Sequence, residues 1–545
     1  MWKKKTIQRF VLLFLIVVLM LIDFKLVLAD SDHHSDGSET NTHEIINNNS
    51  DSDHHSDTPE INTHEIINNS NEPAGNQSDI TGPDAHEMMN SNNDQSDGND
   101  TPISPVDRAQ FDKQFAEANT TQAIDKFEAM QAVEYGQYLG LTFYGKTASS
   151  ADISKTLTDL SEKTGEKSAL VYLASLENQL QSIMIPPNTN NGGNKSLNKG
   201  AIAQNSDQIV RQVVPEASRQ NLKEIVNDFR AKITNPRGSK SYLIPAKKLY
   251  NLLIAPIEPS LKANNIKTII FSLDSGLRTM PIAALHDGKQ FLIEKYGVAI
   301  IPSFSLTDSR YVPISKTQML AMGISKGVGG QNPLPLAELE VETLINKLWT
   351  GKKILNEQST FGNFKVANYN QKFGIIHLAT HGEFRPGKIN NSYIQFWDTK
   401  FRLDQMSKLS LDLKWNNRPT VEMLVLSACR TALGNQQAEL GFAGLAVQAG
   451  VKTALGSLWY VSDEGAMALM TKFYEQLRVT GFRAEALRKA QIALLKGQVR
   501  FEKGKVRISE RLNIPLPINA NSATNNIDLS HPYFWSGFII IGNWN

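Results

Sequence analysis

Short apolar runs alternate with amphipathic segments in the C-terminal half of this 545-residue chain, and this alternation is the strongest constraint on its fold. Residues 268–273, 298–302 and 319–324 are predicted strands, and residues 336–349 and 361–369 are predicted helices. Strands that alternate with helices form mainly parallel sheets, because each helix returns the chain to the start of the next strand. We therefore expect an α/β fold with a mainly parallel sheet.

Two later predicted strands end in residues with reactive side chains. Residues 374–380 lead into His381, and residues 421–428 lead into Cys429, which follows 48 positions later. Open α/β sheets bind their ligands at the carboxyl ends of the strands, and this spacing leaves room for one crossover between neighbouring strands. An imidazole beside a thiol removes its proton and produces the nucleophilic thiolate. The pattern predicts a catalytic dyad of His381 and Cys429.

Backbone groups next to this dyad are expected to stabilise a developing oxyanion. Gly382 leaves its N–H open to a substrate carbonyl, and the N–H of Cys429 is the second expected donor. Cys429 is the only cysteine, so an intrachain disulfide and any multi-cysteine metal site are excluded. Taken alone, a single strand cysteine is more often a buried apolar residue than a nucleophile.

Two other patterns suggest different chemistry. His377 lies four residues before His381, and on a regular strand both side chains face the same way, as a metal pair requires. However, a zinc pair with this spacing normally lies on a helix. Residues 323–327 match the GxSxG pattern of serine hydrolases around Ser325, but glycines and a proline follow where that motif needs a helix, so we predict a turn.

Four segments carry a resemblance to a known family: FGIIHLATHGEF at 373–384, VEMLVLSACRTALG at 421–434, GLAVQAGVKTALGSLWYVSDEGA at 444–466 and HPYFWSGFIIIGNW at 531–544. In this order they resemble the CHAT domain family of caspase-like cysteine peptidases, and the similarity extends from about Ser168 to Asn545. The resemblance implies a caspase-like three-layer α/β sandwich whose dyad falls on His381 and Cys429, with no metal or organic cofactor. The chain departs from many relatives because it lacks recognisable tetratricopeptide repeats.

Trp459 and Asp463 follow the next predicted strand, which in this architecture borders the pocket for the residue before the cleaved bond. An acidic wall there favours Arg or Lys in the substrate. The alternative is that Asp463 is only the N-cap of a helix beginning at Glu464.

The first 29 residues have the pattern of a secretory signal peptide. Basic residues precede thirteen apolar residues at 10–22, and Ala29 stands at a suitable cleavage point. Thirteen residues are fewer than the roughly 20 needed to span a bilayer. We expect export, to the periplasm or the outside, with an uncleaved N-terminal anchor as the alternative.

Residues 30–106 contain a repeat of 21 residues, with SDHHSD at 31 and 52 and THEIINN at 42 and 63. This polar segment is expected to be disordered, because it has little apolar surface to bury. Its histidines and carboxylates suit weak metal binding, although a solvated spacer is the simpler interpretation.

Charge is divided along the chain. Residues 1–29 carry +4, residues 30–107 carry 18 acidic and no basic side chains, and the remainder has 51 basic and 36 acidic residues, which gives 4 − 18 + 15 = +1. The acidic segment is therefore a candidate for an intramolecular contact with the basic domain, weakened by salt.

These observations define four segments: the signal peptide 1–29, the repeat segment 30–106, a helical lead-in at 107–165 and the CHAT domain at 166–545. We expect an exported cysteine endopeptidase acting on protein or peptide substrates, with no nucleic-acid partner and with membrane contact only through the N-terminus. The alternative is a non-catalytic scaffold or regulatory binding module of the same fold, whose acidic segment binds a partner or a metal.

Overall fold

The computed structural model describes residues 106–142, 146–188, 209–237, 240–415, 421–431, 435–517 and 527–545. The predicted signal peptide and the repeat segment up to residue 105 lie outside the described residues, as does most of the Asn- and Gly-rich insert. Within the described ranges, no helix is long and apolar enough to cross a membrane.

The helices in the described ranges occur in two groups, one before the first strand and one interleaved with the sheet. They are α1 Arg108–Glu117, α2 Thr120–Leu139, α3 Ser150–Thr164, α4 Arg219–Ile233, α5 Leu243–Leu253, α6 Glu258–Ala263, α7 Leu292–Lys295, α8 Ala337–Thr343, α9 Phe361–Asn370, α10 Met406–Asp412, α11 Gln436–Ala443, α12 Leu445–Gln448, α13 Asp463–Thr480, α14 Arg483–Leu495 and α15 Pro532–Trp535. A π-helical turn, Leu344–Leu348, extends α8.

The strands form one large sheet and one small sheet. They are β1 Ser168–Ser175, β2 Leu180–Ile185, β3 Val210–Val214, β4 Thr268–Leu273, β5 Gly297–Ile301, β6 Met319–Gly323, β7 Gly351–Leu355, β8 Ile375–Phe384, β9 Tyr393–Gln395, β10 Lys400–Arg402, β11 Met423–Thr431, β12 Thr453–Ser457, β13 Arg500–Glu502, β14 Lys505–Arg507, β15 Asn513–Pro515 and β16 Phe538–Gly542. Strands β13, β14 and β15 form the small antiparallel sheet.

The large sheet contains two parallel halves joined by one antiparallel pair, and further antiparallel pairs add β2 and β3 on one side and β9 and β10 on the other. Its order is β10-β9-β8-β11-β12-β16-β5-β4-β1-β2-β3, with β6 beside β8 and β7 outside β6. Strands β7, β6, β8, β11 and β12 are parallel to one another, as are β16, β5, β4 and β1, while β12 and β16 run in opposite directions. The first half carries His381 and Cys429.

Helices cover both faces of this sheet. Every residue of β4, β5, β6, β12 and β16 is buried. Successive strand residues point to opposite faces, so continuous burial requires packing on both. The predicted fold class, an α/β sandwich with a mainly parallel sheet, is confirmed.

The helices before β1 are attached to the sheet by buried polar contacts. The fully buried carboxylate of Glu128 on α2 accepts hydrogen bonds from the Tyr172 hydroxyl at 2.7 Å and from the backbone N–H groups of Phe304 at 2.9 Å and Ser305 at 2.8 Å. Arg108 on α1 forms an ion pair of 2.8 Å with the buried Asp274 after β4. These groups connect the helices to the ends of β1, β4 and β5.

Several element predictions differ from the structure in their bounds. The helix predicted at 336–349 is α-helical only as far as Thr343, where the π-turn begins. The Gly-rich helix predicted at 441–449 is two shorter helices, α11 and α12, which meet at Gly444. A side chain at Gly444 would place its Cβ 2.9 Å from the Leu440 carbonyl oxygen, so the close packing at this junction requires glycine.

Candidate active site

The two predicted reactive residues lie on neighbouring parallel strands. The Cα of Cys429 on β11 pairs with that of Gly382 on β8, and Ala428 pairs with His381. Adjacent strands lie about 4.8 Å apart. The structure therefore brings His381, Gly382 and Cys429 together near the carboxyl ends of β8 and β11.

A β-bulge separates the environments of His377 and His381. Leu426 pairs with Leu378, but the next recorded pair is Ala428 with His381, so β8 has one extra residue here. A bulge breaks the alternation of side chains. His377 is fully buried, whereas His381 is partly exposed and has different partners. The expectation that both side chains face the same side is wrong, because the bulge changes the register between them, and the disfavoured metal pair loses its basis.

The His381 ring is held by a backbone carbonyl and an aromatic ring. Its Nε2 lies 2.8 Å from the carbonyl oxygen of Asn332, and the ring stacks on Tyr460 with centroids 5.9 Å apart and an interplanar angle of 17°. A carbonyl oxygen only accepts, so this contact requires a proton on Nε2. In the neutral ring, Nδ1 is then the nitrogen able to accept a proton.

A buried polar cluster lies on the same two strands, before their carboxyl ends. Ser427 on β11 donates to Oε1 of Glu340 at 2.7 Å, and Nε2 of His377 lies 2.8 Å from the same oxygen. Nδ1 of His377 is 3.2 Å from the hydroxyl of Tyr474 on α13. Burial and the nearby Glu340 carboxylate raise the Tyr474 pKa well above its usual value. The cluster ties β8 and β11 to α8 and α13.

Trp459 follows β12 and is buried. Its Nε1 donates to the Tyr533 carbonyl at 3.0 Å, its ring stacks near that of Tyr533, and a Cβ on Gly537 would approach it to 3.0 Å. The ring therefore packs against the HPYFW segment at 531–535.

Asp463 is the first residue of α13. The N-cap is Ser462, whose hydroxyl accepts the Gly465 N–H, so the alternative that Asp463 caps this helix is wrong. The Asp463 carboxylate instead accepts the N–H of Leu336 just before α8. Burial raises the Asp463 pKa to about 7, and the neighbouring carboxylates of Glu340 and Glu464 add to this rise, despite that hydrogen bond.

Ser325 lies in an irregular loop after β6 and not at a nucleophile elbow. Its hydroxyl contacts Asn356 Oδ1 at 2.9 Å and Glu338 Oε2 at 3.2 Å, and the next helix, α8, begins only at Ala337. The turn predicted at 323–327 forms later along the chain, where the Gln331 N–H donates to the Val328 carbonyl. No group of three or more His, Cys, Asp or Glu side chains suited to a metal ion occurs among the residues that the structure describes.

Sequence reasoning missed Asn332, Tyr460 and Glu340. Asn332 contributes only a backbone oxygen, which any residue provides, so its identity carries no signal. Its position in the chain did carry a signal. Asn332 follows β6, and the carboxyl ends of β6 and its parallel neighbour β8 lie at the same edge of the sheet. Glu340 is 1% exposed within an apolar helical pattern, and a charged residue there is a signal for a buried partner.

Several solved structures are similar to this chain at low identity. The Saccharomyces cerevisiae separase–securin complex matches at 9% identity and a TM-score of 0.39, covering 81% of this chain and 34% of that chain. The Porphyromonas gingivalis RgpB complex of pro- and mature domains matches at 10% identity and a TM-score of 0.32, covering 59% and 77%. This chain therefore spans only about a third of the length of the separase chain that it matches.

Comparison with curated proteins finds no match. The model of the CHAT domain matches residues 243–543, which is more than half of the chain and includes both β8 and β11. This chain therefore belongs to the CHAT domain family.

Proposed function

We propose that this protein is a cysteine endopeptidase whose dyad is His381 and Cys429. The observation that carries the proposal is that His381 and Cys429 lie near the carboxyl ends of the neighbouring parallel strands β8 and β11, with Nε2 of His381 at the Asn332 carbonyl. This arrangement reserves Nδ1 as the acceptor for the thiol proton. Membership of the CHAT family agrees with this chemistry.

The reaction follows from these groups. Nδ1 of His381 takes the proton of the Cys429 thiol, and the thiolate attacks the peptide carbonyl carbon. The oxyanion is stabilised by the N–H groups of Gly382 and Cys429, and the imidazolium returns its proton to the leaving amine. Water then hydrolyses the thioester and restores the thiol.

Labelling with a peptide electrophile ending in Arg, read by intact mass, tests this proposal. We expect one adduct on the wild type, none on Cys429→Ala and labelling slower by about 100-fold or more on His381→Ala. His286→Ala is the matched control and should label at the wild-type rate, because the His286 side chain accepts the Gly288 N–H and packs on Phe291, away from both dyad residues in the sequence. Wild-type labelling no faster than that of a free cysteine peptide would contradict the dyad and favour the scaffold function.

A preference for Arg or Lys before the cleaved bond is part of the proposal, with Asp463 as the acidic group and Trp459 beside it. Since the Asp463 pKa is about 7, the preference for Arg over a neutral residue should increase from pH 6 to pH 8. Fluorogenic peptides ending in Arg, Lys and Asp measure it. A preference for Asp would eliminate the acidic pocket.

Export is the remaining part of the proposal and rests on residues 1–29 alone. N-terminal sequencing of the mature protein should begin at Asp30. An intact Met1 would contradict cleavage.

A further inference from the structure

A basic groove of about 490 Å³ lies at the β9–β10 hairpin. Its cations are Arg385, Lys400 and Arg402, and Asn390, Asn391 and Tyr393 contribute polar groups. No carboxylate lines it. The groove is therefore complementary to anionic groups.

Two of the three cations are available to a ligand. Arg385 is paired with Glu383 at 2.5 Å, and although burial alone would raise the Glu383 pKa, this guanidinium helps to hold it below its usual value. Lys400 and Arg402 are exposed, and neither has an ion-pair partner among the described residues. The Lys400 Nζ stands 4.8 Å from the Tyr393 ring centroid.

The local strand geometry sets the spacing of these two charges. Phe401 between them is buried, so Lys400 and Arg402 share the exposed face of β10. Residues two apart on a strand lie about 6.8 Å apart. This is also the spacing of alternate side chains in an extended peptide.

The register sets the backbone distance from Cys429 to β10. Cys429 pairs with Gly382, Gly382 with Ile394, and Ile394 with Phe401, so these four residues form one row across β11, β8, β9 and β10. Three strand spacings amount to about 14 Å, which an extended peptide covers in four to five residues.

The floor of the groove also contacts the loop that holds His381. Gln331 donates to the Tyr393 hydroxyl at 2.6 Å, and the carbonyl of the next residue, Asn332, faces the His381 ring. The groove and the His381 ring are therefore connected through Gln331 and Asn332.

We propose that this groove is an exosite for acidic residues of the protein substrate, lying about four to six residues from the bond attacked by Cys429. This inference deepens the proposed function and rests on it. An acidic peptide fits better than a free anion, because the groove is open and its two unpaired cations match alternate side chains of an extended chain. Its contribution is electrostatic, since exposed cations attract carboxylates over a solvated surface.

Binding to the Cys429→Ala protein tests the exosite without requiring turnover. Labelled peptides carry an Arg and, five residues from it on either side, Glu-Ser-Glu, Gln-Ser-Gln or Lys-Ser-Lys. The Glu-Ser-Glu peptide should bind about 2- to 30-fold tighter than its Gln-Ser-Gln counterpart at low salt, and 0.5 M NaCl should remove most of this difference.

Reversing both charges, Lys400→Glu with Arg402→Glu, should abolish the preference for Glu-Ser-Glu and create one for Lys-Ser-Lys. The matched control reverses Lys316 and Lys352, two exposed lysines near the amino ends of β6 and β7, and should keep the wild-type preference. Equal binding of the Glu and Gln peptides, or an unchanged preference after reversal at 400 and 402, would overturn the exosite.

The two proposals fail in different ways. If the Glu-Ser-Glu peptide binds more tightly but Cys429 of the wild type is not labelled, the groove remains a binding site for acidic peptides and the peptidase proposal is refuted. Labelling of Cys429 without any Glu preference would support the peptidase and refute the exosite. A charge-reversed variant that keeps the melting temperature of the Cys429→Ala protein confirms that its fold is intact.

Discussion

Replacing Asp463 by Asn should stabilise the protein in alkaline solution and have little effect in acid. The carboxyl is partly buried at the start of α13, where it accepts the Leu336 N–H, and burial raises its pKa to about 7. Asn has nearly the same shape and retains an acceptor for that N–H, but it never ionises. The substitution therefore isolates the free energy of placing a charge at this position.

The direction in which stability changes with pH follows from proton binding. An unfolded Asp has a pKa of 3.8, so between about pH 4 and pH 7 the folded protein binds more protons than the unfolded chain, and stability falls as pH rises. The full penalty above pH 7 is roughly 4 kcal/mol, of which nearly 2 kcal/mol has developed by pH 5. The stability of Asp463→Asn relative to wild type should thus increase by roughly 3 kcal/mol from pH 5 to pH 8.5.

Urea unfolding followed by tryptophan fluorescence at half-unit intervals from pH 5 to pH 8.5 measures this difference. Asp159→Asn is the control, because Asp159 is exposed and paired only with Lys155 on the same helix, and it should show a change within about 0.5 kcal/mol. A difference for Asp463→Asn that stays constant within about 1 kcal/mol over this range would refute the reasoning from burial.

Three further predictions follow from the described contacts and from charge. Glu128→Ala should lower the free energy of unfolding by about 3 to 5 kcal/mol, because four buried donors lose their acceptor; urea unfolding measures this, and Glu128→Gln, which keeps one acceptor oxygen, should lose less. Tyr460→Ala should slow labelling of Cys429 about tenfold, because the ring stacks on His381, whereas Tyr460→Phe keeps the stack and the rate; equal rates for both variants would contradict a positioning role. Deleting residues 30–106 should speed labelling at low salt if the acidic segment restrains the basic domain, and an unchanged rate there would eliminate that regulation.

Strand positions in the interior of the sheet were predictable because burial on both faces leaves a plain signal. The strand predicted at 268–273 has the same bounds as β4, and the strand predicted at 319–324 is one residue longer than β6. Strands buried on both faces have continuous apolar sequences, without the polar residues that alternate along a half-exposed strand. The carboxyl-end rule then located His381 and Cys429 on neighbouring strands.

Elements with mixed composition were not predictable in the same way. The edge strands β3 and β10 are short and only partly buried, and they lack an apolar run. Helix α4 is amphipathic but lies in a polar stretch after the Asn-rich insert, and its buried face becomes evident only against the rest of the domain. For such segments tertiary packing outweighs local propensity.

The order of apolar runs and reactive residues was enough to predict an α/β sheet and the strand ends on which the proposed chemistry depends. Tertiary structure alone placed the bulge that separates His377 from His381, the Asn332 carbonyl on the imidazole and the row that joins Cys429 to the groove at β10. These features depend on backbone atoms and on contacts between distant segments. Such groups have no side-chain signature, so local patterns do not record them.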